Sequence, residues 1–498
     1  MTALLGIDIG TTTIKSVVID ADSARVLATA DREHPIRQPQ PGYAEQDPDD
    51  WWAAVTHTAR AAIGGAGVSP AAIAGIGLSG QMHGTVCLGA DGRPLRPAII
   101  WADMRSSPQV EDVLARADRA ELARHAPGPP AAGFMGLTLM WLARHEPHTL
   151  AQARAVLLPK DAVRLRLTGE IATEPSDAAS TWLLDVATGD WSGWLLALCG
   201  LERRYLPPVV GSAQVVGGLR AEAAAELGLP AGVPVVAGAA DMTAQALGYG
   251  LYEPGRALVI IGTGGQVFHP LTAPQVDPLL RYYVFNHAVP GRWYAQAAIL
   301  AAGLSLRWLR DVLGLKARAN AYGRLSAWAA AVPPGAEGLL FLPYLAGERT
   351  PLMDPKASGV FLGLRLHHGP GHLARAVMEG VTFALADCLA LVAEPGTAVI
   401  ASGGATQSAV WKQIMADVFQ TPLLLVEGAH HACVGAALLA GVGAGVYADV
   451  AEACARLPQP QVAVQPNEAT AAFYQERGAL FRELYGHLKA DMHRLAEG

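Results

Sequence analysis

Cysteine is scarce and scattered in this sequence. Cys87, Cys199, Cys388, Cys433 and Cys454 are the only thiols, and no two have the short spacing of a zinc site or a disulfide framework. They read as reduced, mostly buried side chains. No stretch concentrates Lys and Arg with aromatics, and 37 basic residues face 44 acidic ones, which argues against nucleic acid as a partner. There is no long block of like charge in a chain that is 51% hydrophobic and 16% charged, so no large disordered tail is expected. A secretory leader is also missing, because Asp8 breaks the first apolar run almost at once; the expectation is a cytoplasmic protein. The least charged region, 432–448, is slightly short for a membrane span and made mostly of Ala and Gly, so it reads as a closely packed helix. Finally, no lysine follows a glycine anywhere, which excludes a Walker A loop.

What is present is α/β alternation on a chain too long for one core. At 498 residues the sequence exceeds the roughly 250 to 300 at which single domains stop growing, so two domains are expected. "RVLATADREHPI" (25–36) alternates like a strand, and "DPDDWWAAVTHTARAAI" (47–63) reads as a helix capped by Asp47 or Asp49. "IAGIGLSG" (73–80) is a buried strand, followed by a polar break and the short strand "TVCLG". The opening "LLGIDIGTTTIKSVVID" (4–20) and the later "EPGRALVIIGTGGQVFHP" (253–270) share one order: apolar strand, Gly with Thr, apolar strand. This suggests two related halves, 1–247 and 248–498, with their boundary in 247–254.

The bends of those two segments carry the candidate chemistry. Glycine turns successive N–H groups toward one point, and threonine hydroxyls add donors, so Gly10, Thr11, Thr12 and Thr13 form a candidate phosphate cradle. Asp8 stands at its edge, placed to orient hydrated magnesium. An ordinary hairpin turn uses the same residues, so both readings stand. Gly262, Thr263 and Gly264 make a second candidate cradle, and two such bends facing one cleft suit a nucleoside triphosphate. Asp241, after an apolar strand and among small residues, is the candidate base, although the same position suits a helix cap. Gln81, Met82 and His83, with Trp101, Asp103 and Arg105, offer polar groups and an aromatic wall for a polyol. A formal G-x-G-x-x-G at Gly75, Gly77 and Gly80 is not followed by a helix and is rejected as a dinucleotide turn. His430 and His431 lack metal-pair spacing and read as surface loop residues.

Taken in order, "GIDIGTTTIK", "EQDPDDWW", "GLSGQMHG", "RPAIIWADMR", "LLPKDAVRLRLTGE", "FLPYLAGERTP" and "SGGATQSAVWKQIMADVF" resemble the FGGY carbohydrate kinases, and within them the xylulose kinases. The resemblance runs from Gly6 to about Gly445. It implies two ribonuclease H-like domains of the actin and hexokinase type, each with a mixed five-stranded sheet, closing over a central cleft. It also implies ATP, Mg2+ and transfer of the γ-phosphoryl group to a sugar, D-xylulose first among the candidates. By that implication Asp241 is the base, and Asp8 with Asp241 serves the metal. Lys15, Thr11 to Thr13 and Gly262 to Gly264 serve phosphates; Gly403, Gly404 and Gln407 serve the nucleotide. "GAADM", "WADMR" and "GTGGQ" depart from the usual pattern, and Ala102, Met104 and Met242 leave ribulose, a polyol or gluconate open as acceptor. An actin- or chaperone-like ATPase is the alternative from another class. The partners implied are the sugar and ATP, with no membrane, and a homodimer is left open.

Overall fold

Residues 1–497 are described by a computed structural model. Two seven-stranded mixed sheets organise the chain, one before and one after residue 250. In the first, Ala3–Ile9 pairs antiparallel with Thr13–Asp20, which pairs with Val26–Glu33; on its other edge Ala3–Ile9 runs parallel to Ile73–Gly80. In the second, Arg256–Ile261 pairs antiparallel with Gly265–Leu271, which pairs with Trp293–Ile299, and runs parallel to Ala398–Gly403. The internal repeat is therefore real in the strand order. Both sheets extend the expected five strands: Val215–Gly218 and Ala239–Ala240 join the first, while Tyr283–Asn286 and Gln461–Val464 flank the second. The central strands are near-continuous apolar runs because helices cover both faces.

Local signals decide the helices. Asp47 caps the Pro48–Gly65 helix by accepting the Asp49 N–H, and Trp51 and Val55 on its inner face are fully buried. Asn467 likewise starts the long terminal helix Glu468–Ala496. None of the helices among the described residues is long and apolar enough to cross a membrane. All five cysteines are unpaired and buried.

The small-residue helix His431–Gly443 lies in sequence between Leu423–Leu425 and Gln461–Val464 of the second sheet but packs on the first sheet. A Cβ at Gly6 would overlap the Cys433 carbonyl oxygen, and one at Gly77 would overlap that of Ala436. On the helix's other side, Gly435 meets the Ala244 carbonyl. Backbone thus approaches backbone on two sides, and the glycines rejected above as a dinucleotide turn are here packing positions. Around this helix Leu4, Val17, Leu247, Leu438 and Tyr447 form one apolar cluster, locked by the Tyr447 hydroxyl donating to the Ala21 carbonyl at 2.6 Å.

Candidate active site

The two glycine bends open on one cleft of about 890 Å3, lined from both halves. The first bend follows the pairing of Ile9 with Ile14 and is braced from behind: the His34 ring donates to the Gly10 carbonyl at 2.9 Å and the Gln46 amide to that of Thr11 at 2.6 Å. The second follows the pairing of Ile261 with Gly265 and is pinned to the start of the Gly303–Val312 helix, whose Gly303 and Leu304 N–H groups bond the Gly262 and Thr263 carbonyls. Thr11, Lys15, Gly262, Thr263 and Gly264 all line the space.

Asp8 and Asp241 stand on the same cleft wall. Register explains it: Asp8 lies beside Ser79 in the parallel pair, and the short strand Ala239–Ala240 lies beside Ser79 and Gly80 from the opposite edge. Asp241 is the first residue of the Asp241–Gly248 helix and not its cap; its carboxylate accepts the N–H of Met242 at 2.7 Å. Both carboxylates keep a partial opening to the cleft, with protein on every other side. Burial, reinforced by the negative charge of Asp8, pushes the Asp241 carboxyl up to about 7. Burial also raises Asp8, against the Ser79 hydroxyl donating to it at 2.9 Å and the charge of Lys15.

Across from Asp241 is the loop of Met82 and His83. The His83 ring stacks on Phe134 with centroids 3.9 Å apart, and its Nδ1 is 2.7 Å from the Ser180 carbonyl. A carbonyl can only accept, so Nδ1 carries the proton and Nε2 keeps its lone pair. Burial drives the imidazole down to about 4, so it is neutral at physiological pH. Trp101 ties its own loop to the first glycine bend by donating its indole N–H to the Thr11 hydroxyl at 2.9 Å.

Several expected site residues do not face the cleft. Gln81 is 1% exposed and donates to Gln46, so it braces the first bend from behind. Asp103 and Arg105 are turned into the protein: the guanidinium binds Asp103 and Glu45 at 2.8 and 2.7 Å and lies over the Tyr43 ring. They anchor the Trp101 loop. Gly10 and Thr12 of the first bend, Thr13 at the start of the following strand and Gly404 in the turn after Ala398–Gly403 do not line the space, whereas Gly403 and Gln407 do. Conversely, His430 and His431 are cleft residues and not surface loop: His431 stacks on Tyr249 at 3.9 Å. Tyr249 in turn shares a 2.7 Å hydrogen bond with Ser402 of the second half. Gln245, one helical turn beyond Asp241, and Arg349 from "FLPYLAGERTP" also line the space. The i, i+4 spacing from Asp241 would have found the first of these.

The profile of the FGGY family of carbohydrate kinases, N-terminal domain, matches residues 3–248, and that of its C-terminal domain matches 257–444. The chain belongs to the FGGY family of carbohydrate kinases. As a carbohydrate kinase it is a phosphotransferase with an alcohol acceptor, and ATP is the substrate that the family implies. It is 38% identical over 488 residues to the xylulose kinase of Escherichia coli (strain K12), covering 97% of this chain and 99% of that protein. The crystal structure of xylulose kinase from Rhodospirillum rubrum superposes with a TM-score of 0.91 at 33% identity, covering 99% of this chain and 100% of that one. Gluconate kinase from Lactobacillus acidophilus gives 0.93 at 28% identity, covering 99% of each chain. The FGGY fold, two actin/hexokinase-type lobes around a central cleft, is thus the one the sequence led us to expect.

Proposed function

We propose that this kinase transfers the γ-phosphoryl group of ATP to D-xylulose, giving D-xylulose 5-phosphate. The observation that carries the reading is the placement of Asp241: a carboxylate raised to about 7 that shares one cleft with two glycine bends and a neutral imidazole. Full-length similarity to xylulose kinases supports the choice of sugar.

Phosphoryl transfer passes through a loose transition state, so the protein acts mainly by positioning groups and neutralising charge. Main-chain N–H groups of Thr263 and Gly264, with the Thr11 hydroxyl and Lys15, hold phosphate oxygens, while the Gly262 N–H closes the bend on the Gly264 carbonyl. Asp241 accepts the proton of the acceptor hydroxyl as its oxygen bonds to phosphorus. His83 Nε2 accepts a hydrogen bond from a second sugar hydroxyl, and Trp101 and Phe134 wall the sugar. Ser402, Gly403 and Gln407 flank the nucleotide. Closure of the cleft excludes water as a competing acceptor.

Magnesium fits the donor set. Asp8 and Asp241 are neighbouring carboxylates, the charge of Asp8 opposes the ionisation of Asp241, and a dication relieves that repulsion. No cluster of three or more metal-ligating side chains exists among the described residues, which matches an ion held by one or two carboxylates plus phosphates and waters. When bound, magnesium would neutralise phosphate charge. Residues 1–247 and 248–498 are proposed as the two kinase domains, in a cytoplasmic enzyme.

An assay of ADP release against ketopentoses, polyols and sugar acids tests the reading. Turnover with D-xylulose alone supports it, and turnover only with another sugar replaces the acceptor. Arg349 favours including gluconate: among the described residues it has no carboxylate within ion-pair distance, and a sugar acid would supply one.

A further inference from the structure

Beneath the acceptor end of the cleft lies a charge cluster with no opening to solvent. Lys160, Asp161, Arg164, Glu174 and Asp177 are all 0% exposed. The Lys160 ammonium is the hub, 2.8 Å from Asp161, 3.4 Å from Glu174 and 3.3 Å from Asp177, and Arg164 pairs with Asp161. Burying five ionisable groups costs several kcal/mol per ion before their mutual attraction offsets it, and an apolar core of equal volume is often as stable or more so. Stability alone is a weak reason for such a cluster. Its connections point elsewhere.

Two serines lead outward from it. The Ser176 hydroxyl donates to Glu174 at 2.8 Å and accepts the Ala240 N–H at 3.0 Å and the Thr243 hydroxyl at 3.2 Å, so it grips the turn that carries Asp241. Arg164 adds a second grip, donating to the Ala237 carbonyl at 3.0 Å. The Ser180 hydroxyl donates to the Asp177 carbonyl at 2.6 Å and accepts the His83 N–H at 3.1 Å, while the Ser180 carbonyl receives the His83 ring proton. His83 has φ +72°, a left-handed conformation uncommon outside glycine, and the two Ser180 bonds hold it there. One rigid segment, 174–180, therefore fixes Asp241 at one end and His83 at the other.

We propose that Lys160 is a positioning residue: its buried ion cluster sets the separation between Asp241 and His83, acting through Ser176 on the first and Ser180 on the second. The inference rests on the reading of Asp241 as base and His83 as acceptor contact. It accounts for the motif "LLPKDAVRLRLTGE" and for the segment 176–180, neither of which puts a side chain into the cleft.

Ser176→Ala and Ser180→Ala each remove one link and leave the ions in place. Ser176→Ala is expected to lower kcat about tenfold with KM for ATP unchanged, and Ser180→Ala to raise KM for the sugar about tenfold with kcat nearly kept, as loss of one buried hydrogen bond implies. Ser180→Thr restores the hydroxyl and should recover most of the loss. Hydrogen exchange of the unliganded protein gives a readout independent of activity: residues 237–243 exchange faster in Ser176→Ala, and 81–85 faster in Ser180→Ala. Lys160→Met should show both kinetic effects together; if it does not fold, the serine variants still decide. Wild type inactive on every sugar would refute the proposed function, and exchange would then decide the positioning inference. A lowered melting temperature with unchanged kinetics and unchanged exchange at both sites overturns it.

Discussion

Replacing Asp241 by Asn should abolish phosphoryl transfer and, above neutral pH, make the unliganded protein more stable. Burial and the charge of Asp8 carry the carboxyl from an ordinary 3.8 up to about 7 on folding. At about 1.4 kcal/mol per unit, that is about 4 kcal/mol. The sign follows from proton uptake: between pH 3.8 and 7 the folded protein holds a proton that the unfolded chain has released, so stability falls as pH rises through that window. Above pH 7 the whole penalty is present. Asparagine carries no charge to desolvate or to repel Asp8, and its carbonyl oxygen can still accept the Met242 N–H. The gain should approach about 4 kcal/mol at pH 8, as an upper figure because the cleft admits water, and shrink to about 2 kcal/mol at pH 5. Urea unfolding of both proteins at the two pH values, with and without an ATP analogue, measures it. Equal differences at pH 5 and 8, or a less stable variant at pH 8, would refute the account of the buried like-charged pair. Full turnover in the variant would refute the base.

The same group predicts an acidic limb in kcat/KM for the sugar near pH 7, with about a tenfold fall per unit below it; a limb near pH 4 would show that Asp241 titrates as an ordinary carboxylate. Trp101→Phe keeps an aromatic face, though a smaller one, and loses the 2.9 Å bond to Thr11, so KM for ATP should rise several-fold while thermal stability is nearly unchanged. Gly77→Ala drives a Cβ into the Ala436 carbonyl, where backbone must move on both sides, and should cost about 3 kcal/mol or more in urea unfolding. A loss below about 0.5 kcal/mol there would mean that the helix and sheet are not in backbone contact.

Much of the site was legible because it breaks local rules. One aspartate in an apolar strand, threonines at its bend and a second glycine bend in the same strand order are visible without coordinates, and they lie on one cleft. The phase of the loops was not legible. Gln81 sits beside Met82 and His83 in sequence, yet successive side chains leaving a strand point opposite ways, and Gln81 turned inward to Gln46. Asp103 and Arg105 found each other and Glu45 before any ligand, since a buried guanidinium needs carboxylates at hydrogen-bond distance. His431 reached the cleft through a partner 183 positions away, Gly248, a distance no local pattern spans.

The helix His431–Gly443 belongs by chain order to the second lobe and by contact to the first. A gene fragment stopping at residue 247 would therefore leave a bare strip of main chain over Gly6 and Gly77, with no side chains to shield it from water or from another polypeptide. The apolar packing of the first sheet is completed by residues from 433 to 457, which lie beyond the proposed domain boundary. The chain must then pass between lobes three times, near 250, 428 and 459, and any opening of the enzyme has to pivot on those three strands of backbone at once.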